Sequence, residues 1–133
     1  MATQIRKIFL ICPVRDADEV LKKFLSDYVA KLEFQGYKVH YPVRDTEQAD
    51  PAGGYYVCRI NFTAMMNADE VHIWYDESSN GSKFDMGGLF MLHMLGFRKK
   101  IVIVNEGLIL EDPEKQKSFL KVMRHFAQFG DRY

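Results

Sequence analysis

Apolar positions fall into two periods that take turns along the chain. Lys7 to Cys12 is a continuous apolar run of strand length. After it, Leu21, Phe24, Leu25, Tyr28, Val29 and Leu32 recur at the spacing of one helical face, opened by Asp16 and Glu19 and stopped by Gly36. Tyr37 to Tyr41 is short, β-rich and ended by Pro42, which predicts a second strand. The stretch from Pro42 to Gly54 holds two prolines and two glycines and predicts a long loop of the kind that covers a site. Val57, Ile60 and Ala64 set a second helix over roughly Tyr55 to Asn67, and Glu70 to Tyr75 reads as strand three. A third helix carries Phe84, Leu89, Phe90, Leu92, Met94 and Leu95 and ends near Gly96; Lys100 to Val104 is strand four. Leu108 to Leu110 is read as a short fifth strand, and Asp112-Pro113-Glu114 as the start of a last helix striped by Phe119, Val122, Met123 and Phe126.

Apolar strands alternating with amphipathic helices imply a parallel sheet covered on both faces, because parallel neighbours need right-handed crossover connections. The expected architecture is α/β: a flavodoxin-like or Rossmann-like three-layer sandwich of four or five parallel strands in the order 2-1-3-4, with the fifth strand last. Residues 1–133 are expected to form a single domain. In that order the loops after strands one and three meet at the switch point, where open α/β sheets bind ligands.

Composition narrows the partners. With 18 basic and 18 acidic residues mixed along the chain, no field of one sign draws it to polymeric nucleic acid or an anionic membrane. No apolar run is long enough to span a bilayer. Cys12 and Cys58 form no metal spacing, and reduced thiols in a cytoplasmic protein are the simplest account. The four histidines lie on separate elements, so no metal is assigned, and no cofactor is expected.

The chemistry concentrates between Ala68 and Leu95. Strand three runs through Asp76 to Gly81 into a helix read as opening Ser82-Lys83-Phe84-Asp85, which puts an acid in the first turn of a helix at the sheet mouth. There the aligned backbone N–H groups would hold Asp85 ionised, as a nucleophile. The plainer reading is a capping box, with Asp85 reaching back to the amide of Ser82. The switch point brings Pro13 and Arg15 towards Gly81, Ser82 and Asp85, while Arg44 and Asn105 share the same rim; Asp76 stands at its loop entrance. Arg15, and less directly Arg44, are read as phosphate ligands, against a solvated surface charge as the bland alternative. Gly87 and Gly88 are read as allowing close helix packing, since each costs about 1 kcal/mol of helix propensity. The face of Met86, Met91 and Met94 reads as core or subunit contact.

Ile8-Phe9-Leu10-Ile11-Cys12-Pro13, Asn67-Ala68-Asp69 and Gly81-Ser82-Lys83-Phe84-Asp85-Met86-Gly87-Gly88 together resemble the nucleoside 2-deoxyribosyltransferase family and its relatives that hydrolyse nucleotide N-glycosidic bonds. The resemblance runs in order and spacing from about residue 7 to 105. It implies that Asp85, where the family has glutamate, attacks the anomeric carbon. It also implies that Asn61, where the transferases carry an acid, hydrogen-bonds the base, and that the Cys12-Pro13-Val14-Arg15 loop holds a phosphate. Pro13, Arg15, Arg44, Asp76, Gly81 and Ser82 are then the substrate-binding set. The implied activity is N-glycosidic cleavage or deoxyribosyl transfer on a nucleoside or its monophosphate, in a homodimer or higher homo-oligomer. The shorter Asp85 displaces the carboxylate by about 1 Å, a shift that can cost about a hundredfold in rate, and an amide at 61 cannot act as a general acid. Both departures suit the alternative, a non-catalytic nucleotide-binding sensor or interaction module of the same fold. A receiver domain is ranked last, because Cys12-Pro13 stands where its acid pair belongs.

Overall fold

A computed structural model describes residues 4–109 and 113–130. Four parallel strands, β1 (Lys7–Ile11), β2 (Lys38–His40), β3 (Glu70–Ile73) and β4 (Lys100–Ile103), form one sheet in the order β2-β1-β3-β4. β1 and β3 are central and pair Ile8 with Glu70 through Ile11 with Ile73. All their side chains but that of Lys7 are buried; Ile8 to Ile11 form a continuous apolar run, whereas β3 alternates the buried polar Glu70 and His72 with Val71 and Ile73.

The helices are α1 (Glu19–Phe34), the single-turn α2 (Pro42–Asp45), α3 (Tyr55–Asn67), α4 (Asn80–Met94) and α5 (Phe119–Phe129). Leu25, Val29 and Leu32 of α1 pack on Ile8, Leu10 and Val39 from one side of the sheet. On the other side, Met65 of α3, Met86 and Leu89 of α4, and Leu120, Met123 and Phe126 of α5 pack on Phe9, Ile11, Val71 and Ile73. No helix among the described residues is long and apolar enough to cross a membrane.

Local chemistry explains the element ends. Asp18 caps α1 by accepting the Leu21 amide at 2.7 Å, and Gly36 leaves the helix at φ 98°, a conformation that L side chains rarely adopt. Gly88 is the one glycine that close packing demands: a Cβ there would stand 2.0 Å from the Phe62 ring of α3, whereas at Gly87 it would meet nothing. The packing reading therefore holds for Gly88 only.

Three sequence expectations change. The chain after β4 forms a short 3-10 turn at Glu106–Leu108 instead of a fifth strand, and Leu110 lies outside the described residues. The last helix starts after Ser118, whose hydroxyl accepts the Lys121 amide; Pro113 and Glu114 lie in a turn, and Asp112 is outside the described residues. The stretch from Pro42 to Gly54 is only partly loop, because Pro42 starts the turn of α2.

Candidate functional site

The C-terminal ends of β1 and β3 are joined beyond the strands by a Trp74 amide to Ile11 carbonyl bond of 2.8 Å. Asn105 extends the register on the other side, donating to the Tyr75 carbonyl and accepting its amide, both at 2.9 Å. The β1 loop (Cys12, Pro13, Arg15) and the β3 loop (Asp76 to Ser79) are thereby held side by side, with the N-termini of α3 and α4 above them.

Helix α4 begins one turn earlier than the sequence reading has it. Ser79 is the N-cap, its hydroxyl accepting the Ser82 amide at 3.2 Å and donating to the Ser82 hydroxyl at 2.9 Å. Ser82 is fully buried inside the first turn, so it caps nothing. Asp85 consequently sits in the second turn, beyond the exposed amides of the helix start, and the capping box does not form. Its carboxylate is partly buried and makes no hydrogen bond or ion pair with any described residue. The expectation that the helix N-terminus lowers its pKa is overturned: burial with no compensating partner pushes the acid up to about 7.

Two thiols locate that carboxylate. Burial first, and then the Asp85 charge, push the Cys12 thiol up to about 12. The Cys58 thiol is also raised, by burial and then by Asp85 and Asp50. Asp85 thus lies within electrostatic reach of the end of β1 and of the first turn of α3.

Asn61, one turn further down α3, is buried and otherwise engaged. Its Oδ1 accepts from the Thr46 hydroxyl at 2.7 Å, and that hydroxyl also meets His40 Nε2 at 2.9 Å. With its one proton given to Asn61, Thr46 Oγ1 must accept from His40. Cys58, one turn before Asn61, is an α3 side chain on which the Asp85 charge acts. The helical spacing of positions 58, 61 and 65 could have flagged it.

The acid that does hold a helix start is Asp50. Its carboxylate accepts the amides of Ala52, Tyr56 and Val57 at 2.8, 2.8 and 3.1 Å. Desolvation pushes this group up, but those backbone bonds outweigh it and keep the acid below the usual carboxylate range.

The remaining residues divide clearly. Arg15 is exposed, and its guanidinium has no partner among the described residues. Arg44 is fully engaged: Glu33 takes it in a two-pronged pair at 2.9 and 3.2 Å, and Asp45 and the Val39 carbonyl take the rest. That commitment removes Arg44 as a free phosphate ligand. Pro13 is fully buried beneath its loop, and Gly81 is exposed on the first turn of α4. Asp76 closes its own turn, accepting from the Ser78 amide at 2.9 Å and the Ser78 hydroxyl at 2.6 Å. Beside this turn a cavity of about 320 Å³ opens between Trp74, Asp76, Asn105 and Ser118.

No family model matches the sequence, and no curated protein is significantly similar to it. Solved structures are similar in fold. The CMP N-glycosidase BcmB of Clostridium botulinum aligns with a TM-score of 0.57 at 18% identity, over 90% of this chain and 80% of that one. The 2-deoxyribosyltransferase of the psychrotolerant bacterium Bacillus psychrosaccharolyticus aligns with a TM-score of 0.54 at 17% identity, over 88% of this chain and 90% of that one.

Proposed function

We propose that the chain cleaves the N-glycosidic bond of a nucleoside or nucleoside monophosphate, with Asp85 as nucleophile. One observation carries the reading: a shielded carboxylate with no partner, at the mouth of a sheet whose fold is shared with an N-glycosidase and a deoxyribosyltransferase.

An Asp85 oxygen bonds to C1 of the sugar as the bond from C1 to the base nitrogen breaks, and the base leaves with that electron pair. Water or a second base then displaces Asp85 from C1 and restores the carboxylate. The raised pKa makes Asp85 a stronger nucleophile when ionised and a poorer leaving group in the second step. Arg15, free at the first loop, binds the phosphate of a monophosphate substrate, together with the exposed backbone at Gly81. Asn61 acts through Thr46 and positions the segment that follows α2, while Cys58 faces the reacting end of α3.

The outer face of α4 supports assembly with a second copy. Phe84, Met91, Met94 and Leu95 are 58 to 66% exposed, and a helix that is apolar on both faces is normally buried on both. Sedimentation should therefore give a dimer or higher oligomer.

Incubation with deoxynucleosides and their monophosphates, followed by chromatography for free base, tests the activity. Base release that disappears in Asp85→Ala supports the enzyme. The amide at Asn61 favours a second reading, a nucleotide-binding module, since a side-chain amide cannot protonate the departing base. Tight nucleotide binding without product would establish that reading instead.

A further inference from the structure

At the end of the sheet opposite Asp85, a cavity of about 620 Å³ is lined by Arg6, Asp69, Arg98, Lys99, Lys100 and Phe126. Its acids and cations are not equally free. Asp69 Oδ2 accepts the Lys7 backbone amide at 2.8 Å. Lys99 donates to the Met66 and Ala68 carbonyls that close α3, and burial lowers its pKa. Lys100 is exposed and has no hydrogen-bond or ion-pair partner among the described residues, yet its charge acts on both Glu70 and His72.

Arg6 is the best-placed cation. Only its Nε is used, donating to Glu70 Oε2 at 3.1 Å, and its two terminal nitrogens have no partner among the described residues. Glu70 is itself fixed from inside the fold. Its side chain is 6% exposed, its other oxygen meets His72 Nε2 at 3.1 Å, and His72 Nδ1 meets the Tyr28 hydroxyl of α1 at 2.5 Å. A buried relay of three side chains thus ends on a half-exposed guanidinium and sets its orientation.

We propose that this cavity binds a compact phosphorylated small molecule, its phosphate held by the terminal nitrogens of Arg6 and by the ammonium of Lys100. A guanidinium fork fixed at Nε matches two phosphate oxygens, and a neighbouring lysine adds charge without restricting geometry. Ile101 and Phe126 supply an apolar wall for the organic part of the ligand. The concave shape favours a small molecule over a nucleic acid strand, which needs a long groove.

Calorimetric titration of the full chain with sodium pyrophosphate at low ionic strength provides the test. A saturable event that is separate from the Arg15 loop, and so persists in Arg15→Ala, is expected. Lys100→Glu, at an exposed position that makes none of the relay's hydrogen bonds, should weaken it at least about tenfold, as expected for a lost hydrogen bond to a charged group. Arg6→Lys, which keeps the charge and loses the fork, should also weaken it, while Lys31→Ala, at an exposed position of α1, leaves it unchanged. The proposal is overturned if wild type shows no saturable binding, if Lys100→Glu titrates like wild type, or if Arg15→Ala alone removes the signal, which would place the anion at the other rim.

Discussion

Glu70 and Asp85 are two acids withdrawn from water near opposite ends of the same sheet, and the fold treats them in opposite ways. Glu70 has both oxygens occupied; burial pushes it up, yet the bonds from His72 and Arg6 outweigh that and hold it below the usual carboxylate range. His72 is lowered, chiefly by burial, so the pair is an ionised acid beside a neutral imidazole. Asp85 has no such company, and burial alone pushes it up to about 7. Shielding with partners builds structure. Shielding without them carries a cost in stability, and under the proposed function that cost marks where a substrate would supply the missing contacts.

The sharpest way to break this contrast is Asp85→Asn. Base release should fall on the order of a thousandfold or more, as for loss of a nucleophile. The same variant should melt higher than wild type at pH 8. Asp85 has a folded pKa above its unfolded one, so its contribution is most favourable below about pH 4 and is lost as pH rises through about 7. The gain in melting temperature should therefore shrink at pH 5, and a gain independent of pH would contradict the burial account. Glu70→Ala predicts the reverse: about 2 kcal/mol of stability lost in urea melts, because His72 stays buried without its acceptor. The folded fraction should retain its rate of base release.

Third in size is the pH profile, since base release limited by ionised Asp85 should rise about tenfold between pH 6 and 8. A flat profile would place the titrating group elsewhere. Smallest is Ser79→Ala, expected to cost about 1 kcal/mol in the denaturant midpoint through loss of the α4 cap. If Ser82→Ala proved the costlier change, the placement of Asp85 in the second turn would be in doubt.

Strand order was readable from sequence because it follows from periodicity and the handedness of crossovers, which act over whole elements. The start of α4 was not. Ser78, Ser79 and Ser82 all carry a capping hydroxyl, and choosing Ser82 shifts Asp85 by a turn and reverses the expected sign of its pKa shift. Asp112-Pro113-Glu114 misled in the same way, since the apolar stripe of α5 settles only from Leu120 onward against the sheet. Arg44 reads as a free charge because Glu33 stands eleven residues away on another element and the turn of α2, which brings the neighbouring Asp45 onto the guanidinium, is not evident from sequence. Arg15 stands exposed in its loop with no partner among the described residues. Local signals set what each residue can do, and distant partners decide whether it remains available.

The segment joining α2 to α3 is moored at two points, by Thr46 to His40 and Asn61 and by Asp50 to the opening amides of α3. Residues 47–49 form the span between those moorings, folded back by Gln48 Nε2 donating to the Pro42 and Thr46 carbonyls, and none of them pairs with a strand. A change of length there would resize the rim beyond β2 at the expense of the Gln48 contacts, without breaking a strand pairing.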